Sequence, residues 1–134
     1  METINATFAR FEPLVHSIFR VITGLLMFQF GVAKLLKFPP GTMFEKVQAL
    51  SLFGAAGMIE LVFGGLLLLG LWTRPVAFIL CGEMAVAYFK QHAPRGFWPI
   101  SNGGELAVLY CFIFLLLMSS GPGPWSLDRL VRNK

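Results

Sequence analysis

The chain has 134 residues, of which 56% are apolar and only 13% charged, with a formal charge of +4 and a mean hydropathy of +0.70. A soluble domain carries about a quarter charged residues, so a soluble globule is excluded, and the length leaves room for one integral membrane domain over residues 1–134. The positive excess sits at the ends of apolar runs, not on one basic face with aromatic platforms, which excludes a nucleic-acid binder.

Apolar runs of roughly 18–20 residues recur between turn-like breaks, the pattern of membrane-spanning helices. Residues 1–12 read as a polar lead. Pro13 suits the first turn of a helix, where its missing N–H would be unpaired anyway, and a first span is expected over residues 14–36. The segment is too long for a signal peptide core and shows no cleavage pattern around Lys34 and Lys37, so it reads as a retained helix. Arg20, Gly24, Gly31 and Lys34 fall along one line of it, with the glycines spaced for close packing on a neighbour. Phe38-Pro39-Pro40-Gly41 ends the helix.

Thr42 and Glu45 fit a capping box, and Phe44, Val47, Leu50 and Ser51 follow helical spacing, which predicts a short amphipathic helix on the membrane surface. A second span is expected over residues 52–72. In it Glu60 is a lone carboxylate with Gly57 and Gly64 on its own face. Leaving that acid ionised against lipid costs about 2.5–3.5 kcal/mol. It must therefore face another helix, on the seam where small residues admit a close neighbour. Thr73-Arg74-Pro75 reads as a tight turn, so spans two and three are antiparallel neighbours.

The third span is expected over residues 75–91, with Ala77, Cys81 and Ala85 as a small-residue seam and Glu83 on nearly the opposite face. Residues 92–104 are rich in Pro and Gly and read as a non-helical loop whose Phe97 and Trp98 suit the interfacial belt. A fourth span follows over residues 103–120, stopped by Gly121-Pro122-Gly123-Pro124, and residues 126–134 form a basic tail. The expected fold is all-α: an antiparallel, up-down four-helix transmembrane bundle with a surface helix between the first two spans. Both termini then lie on one side. Arg10, Arg74, Arg129, Arg132 and Lys134 against Lys37, Lys46, Lys90 and Arg95 favour the cytoplasm for that side.

Connectivity also predicts which charges share a depth. At about 1.5 Å per residue, Lys34, Glu60, Glu105 and His92 form an outer cluster, and Arg20 with Glu83 an inner, structural ion pair. Glu105 has a second reading as the close of a capping box after Asn102, Lys34 as a lysine snorkelling to the headgroups, and His92 as an exposed loop histidine. Glu60 has no helix end to cap and no route to snorkel, so for it the functional reading is preferred. Cys81 and Cys111 lie in separate spans, form no C-x-x-C and read as small apolar fillers. No metal, haem or flavin motif is evident, and nothing in the spacing of His, Cys, Asp and Glu assigns a metal ligand.

Arg20-Val-Ile-Thr-Gly24, Phe30-Gly31-Val-Ala-Lys34-Leu35, Gly57-x-x-Glu60-x-x-x-Gly64-Gly65, Gly70-x-x-Thr73, Gly104-Glu105 and Gly121-Pro-Gly-x-x-Ser126-Leu-Asp128 together resemble the DoxX family of small bacterial membrane proteins, over residues 19–130. The resemblance implies a four-helix bundle in the bacterial cytoplasmic (inner) membrane. The broader group includes subunits linked to thiosulfate:quinone oxidoreduction and others tied to thiol and oxidative-stress handling. The first functional expectation is therefore a redox accessory, at most a subunit of a quinone-linked oxidoreductase. Lys34 would donate to a quinone oxygen, Glu60 would accept or relay a proton, Glu105 and His92 would connect to the outer face, and Phe28, Phe30 and Phe63 would wall the site. Its partners would be the lipid bilayer, a soluble or membrane redox protein, and a second copy in a homo-oligomer. Two alternatives stay open: a scaffold that docks a soluble partner through the basic tail, and a small-solute or proton pathway.

Overall fold

The computed structural model describes residues 1–132, and among these the chain is all-helical, with seven α-helices and no strand. Lys134, one of the tail cations counted above, lies outside the described residues. The helices are α1 (Glu2–Ala9), α2 (Glu12–Leu35), α3 (Leu52–Leu69), α4 (Thr73–Ala87), α5 (Pro99–Asn102), α6 (Glu105–Ser120) and α7 (Leu127–Arg132). A π-helical turn (Tyr88–His92) and a 3-10 turn (Ala93–Arg95) join α4 to α5. Two helices, α2 and α3, are long and apolar enough to cross a membrane; α6 is apolar but shorter.

Glycine decides how α2 meets α3. A β-carbon at Gly31 would sit 2.5 Å from the Leu61 amide nitrogen, and one at Gly64 would sit 2.7 Å from that of Phe28. Any side chain at either place pushes the two backbones apart, so the glycine line read from the sequence is the contact itself. While α2 runs along α3, α4 runs along α6, and the two pairs meet over a narrower α3–α4 line. One core joins all four: Met27 from α2, Leu67 from α3, Leu80 and Met84 from α4, Phe114 and Leu117 from α6.

Helix ends follow local chemistry. Ser51 caps α3 by accepting from the Gly54 amide at 3.1 Å, and Gly70, at φ 72°, ends it in the left-handed conformation that glycine tolerates best. The expected turn at residues 73–75 is instead the first turn of α4. The Asp128 carboxylate accepts from the amides of Trp72 at 2.7 Å and Thr73 at 2.9 Å, satisfying donors that a helix start leaves orphaned and placing negative charge at the dipole's positive end. Below it, Arg20 donates to the carbonyls of Pro122, Trp125 (2.8 Å) and Leu68 (3.4 Å). The Trp125 amide donates to Ser17 Oγ at 3.1 Å, and His16 Nε2 lies 2.7 Å from the Gly121 carbonyl oxygen. The start of α2 thus holds the 121–126 loop.

Three expectations change. The polar lead is a helix, α1, with Glu2 in its first turn and no buried residue. The surface helix over residues 42–51 does not form; these residues are turns. Lys37 explains this, since its ammonium takes the carbonyls of Lys34 (2.7 Å), Phe44 (3.1 Å) and Val47, winding the segment round one cation. Residues 92–104 are more ordered than a Pro/Gly-rich loop suggests. Buried Asn102 donates to the Gly96 carbonyl at 2.9 Å and to Tyr88 Oη at 3.2 Å, and its Oδ1 accepts from the Gly104 amide at 2.8 Å.

Candidate functional site

Lys34 ends the glycine line of α2, and Glu60 sits between Gly57 and Gly64 on the facing side of α3. With the backbones this close, the two side chains meet: Lys34 Nζ donates to Glu60 Oε1 at 2.8 Å, with the side chains only 9% and 3% exposed. It is the one ion pair among the described residues. The Lys34 ammonium also stands 5.1 Å from the Phe44 ring centroid and 6.0 Å from that of Phe30, within range of both aromatic faces.

A second carboxyl joins them. Glu60 lies ten residues before Gly70 and Glu83 ten residues after Thr73, so across the short α3–α4 connection both stand about 15 Å up their helices. Glu83 lines the same cleft as Glu60 and Lys34 and lies close enough to feel the charge of both. Glu60 Oε2 and both carboxyl oxygens of Glu83 are buried without a hydrogen-bond donor. Because α3 and α4 touch over a narrow line, a cleft of about 300 Å³ opens beside the cluster. Its walls include Phe53, Ala56, Ile59, Ile79 and Val86, and Lys90 and Gln91 line the part farthest along α4. A β-carbon at Gly82 would meet nothing within 4 Å, so this wall is open where the glycine stands.

Of the expected outer cluster, Lys34 and Glu60 come together while Glu105 and His92 stay apart from them. Glu105 is the exposed first residue of α6, in the turn where the helix dipole favours an acid. His92 Nδ1 lies 3.2 Å from the Asn102 carbonyl oxygen, and its ring leans on Tyr88. The Arg20–Glu83 pair does not form, because Arg20 is spent on loop carbonyls and Glu83 stands level with Glu60, a helical half away. Lys34 does not snorkel; it is buried and paired. Phe28, Phe30 and Phe63 do not line the cleft, and Phe30 and Phe63 pack against the core instead. The sequence did hold a signal for Glu83: equal distances from a tight interhelical connection put two residues at one depth. The carbonyl-binding role of Arg20 had no comparable signal. Cys81 and Cys111, read as separate fillers, bring their sulfurs to 3.6 Å between α4 and α6.

The DoxX family profile matches residues 15–93, a stretch that contains Lys34, Glu60 and Glu83. An uncharacterised protein of Haemophilus influenzae is 42% identical over 123 residues, covering 89% of this chain and 92% of its own length. An uncharacterised membrane protein of Mycobacterium tuberculosis is 34% identical over 133 residues, covering 86% of this chain and 80% of its own. No solved structure matches the chain. With its buried Lys34–Glu60 pair and the cleft beside it inside the matched stretch, this chain belongs to the DoxX family and is a membrane protein.

Proposed function

We propose that the protein crosses the bacterial cytoplasmic membrane four times, with both termini inside, and that its cleft binds a lipophilic molecule with a hydrogen-bonding head, a quinone or similar carrier, in support of a membrane redox system. The four-span reading rests on α4 and α6 sharing the core of α2 and α3 while turning Phe78, Leu109, Phe112 and Leu116 outward, as lipid contact requires. The cytoplasmic assignment rests on Arg74, Arg129 and Arg132 near the end where α2 begins.

The observation that carries the ligand reading is three buried carboxyl oxygens without donors, on Glu60 and Glu83, beside an apolar cleft. Each such unpaired group costs about 1–3 kcal/mol, which a ligand head can recover. One ammonium balances one of the two carboxylates. If the other carboxyl holds a proton, the cluster is neutral and offers an O–H donor as well as free acceptors. A carbonyl head then accepts from the acid, and a hydroxyl head donates to the unpaired oxygens. Quinone reduction to quinol takes up two electrons and two protons; the part of Lys34, Glu60 and Glu83 is to orient the head and hold a proton beside it, while electrons come from a partner protein. The cleft volume suits a ring-sized head, at the lower end of the ~300–1,000 Å³ of small-molecule sites. The leucines, methionine and phenylalanine of the core (Leu67, Leu80, Met84, Phe114) set an apolar block next to the acids, favouring binding over conduction.

Gly82→Leu tests this reading directly, since Gly82 lines the cleft and a β-carbon there meets no atom within 4 Å. The purified wild-type protein is expected to retain or bind ubiquinone or menaquinone in detergent, by extraction and by fluorescence titration. Gly82→Leu should abolish that binding with helix content and melting temperature unchanged. Equal binding by the filled variant, or no quinone bound by the wild type, overturns the proposal.

A further inference from the structure

The end where α2 begins holds a second cavity, about 320 Å³, lined among others by Arg74, Ser120, Asp128, Arg129 and Arg132. Three guanidiniums face one carboxylate there, and that carboxylate is already engaged: both Asp128 oxygens accept from the amides that open α4. Arg74 is held by neutral partners, donating to the carbonyls of Met118 (3.1 Å) and Ser119 (2.6 Å) at the end of α6. Neither Arg129 nor Arg132 has a carboxylate partner among the described residues. The protein therefore leaves a concave site with an uncompensated excess of positive charge, built from the most phosphate-competent side chain available.

The depth of this site is marked independently. Trp72 and Trp125, both about two-thirds exposed at 63% and 66%, stand at the same end, where indoles favour the membrane–water interface. On α7, Leu130 and Val131 are exposed beside Arg129 and Arg132, an arrangement that sets apolar side chains toward acyl chains and cations toward headgroups. We infer that this cavity is a phosphate site occupied by the headgroup of an anionic phospholipid, which bridges α4, the end of α6 and α7. Basic pockets between spans on the cytoplasmic side recognise such headgroups. The site is separate from the Lys34–Glu60 cleft and needs no ligand there; it rests only on the membrane placement of this end proposed above.

Native mass spectrometry of the full chain, released from nanodiscs containing dioleoyl phosphatidylglycerol and dioleoyl phosphatidylcholine, tests the inference. The wild type should retain phosphatidylglycerol in preference to phosphatidylcholine. The double variant Arg129→Gln/Arg132→Gln should weaken that retention roughly thirtyfold, as expected for two arginines lost at the membrane surface. Arg129→Lys/Arg132→Lys should restore part of it, and Lys46→Gln/Arg95→Gln, at the far end, should leave it unchanged. Both arginines are exposed and outside the core, so melting temperature serves as a check that the fold persists. Inorganic phosphate at millimolar concentration separates the sources: if it displaces phosphatidylglycerol and protects the wild type but not the glutamine variant from heat, the site takes soluble phosphate and the lipid assignment falls. Equal retention of the two lipids, or retention untouched by the glutamine pair, overturns the site altogether.

Discussion

At Lys34 and Glu60 a single hydrogen bond of 2.8 Å stands between two buried charges and lipid-like surroundings. Its worth is best seen by breaking it from one side. Glu60→Ala leaves the ammonium with Glu83 as its remaining carboxyl neighbour and is expected to cost up to about 3–5 kcal/mol, read as a lowered unfolding midpoint in detergent. The paired change Lys34→Met/Glu60→Leu should recover most of that loss, because it removes both charges together. If the double variant is no more stable than the single one, the pair contributes more than mutual neutralisation. The two thiols offer a different check at this scale. Cys81 and Cys111 lie 3.6 Å apart at sulfur, so copper-phenanthroline should link them within one chain, seen as the loss of both maleimide-reactive thiols without a dimer band. Cross-linking only between chains would contradict the neighbourhood of α4 and α6.

Among elements, α2 and α3 form the most intimate pair, and α4 the one whose start is stabilised from farthest away in sequence. Gly31→Leu should separate α2 from α3, since the Leu61 backbone occupies the space its side chain needs; the measure is loss of folded protein after detergent extraction. Gly82→Leu, a change of the same size on α4, should be tolerated because that position opens on the cleft. Asp128→Ala removes the cap of α4 and should lower stability by about 1 kcal/mol, while Asp128→Asn keeps an acceptor and should lose less. The 38–51 connection depends on one ammonium. Lys37→Met should release the carbonyls of Phe44 and Val47 and raise hydrogen exchange over residues 42–51, leaving α2 and α3 protected.

For the molecule as a whole, two helix pairs share a core near one end and diverge toward the other. That division gives the ends different chemistry. The end where α2 begins is locked by Arg20, Ser17 and Asp128 onto the 121–126 loop and carries the arginine cavity. Farther along, the narrow α3–α4 contact leaves the acid-lined cleft. The sequence by itself determined the membrane class, the four long helices (α2, α3, α4 and α6) to within a few residues, the glycine seam, and the meeting of Lys34 with Glu60. All of these follow from periodicity, side-chain size and the cost of an isolated charge, which are local or nearest-neighbour quantities. Only the tertiary structure decided that Arg20 turns to loop carbonyls, that Glu105 and His92 stand apart, and that residues 42–51 wind round Lys37. Those outcomes depend on how two helix pairs splay and on which distant carbonyls a cation can reach. Spacing along one chain carries no record of either.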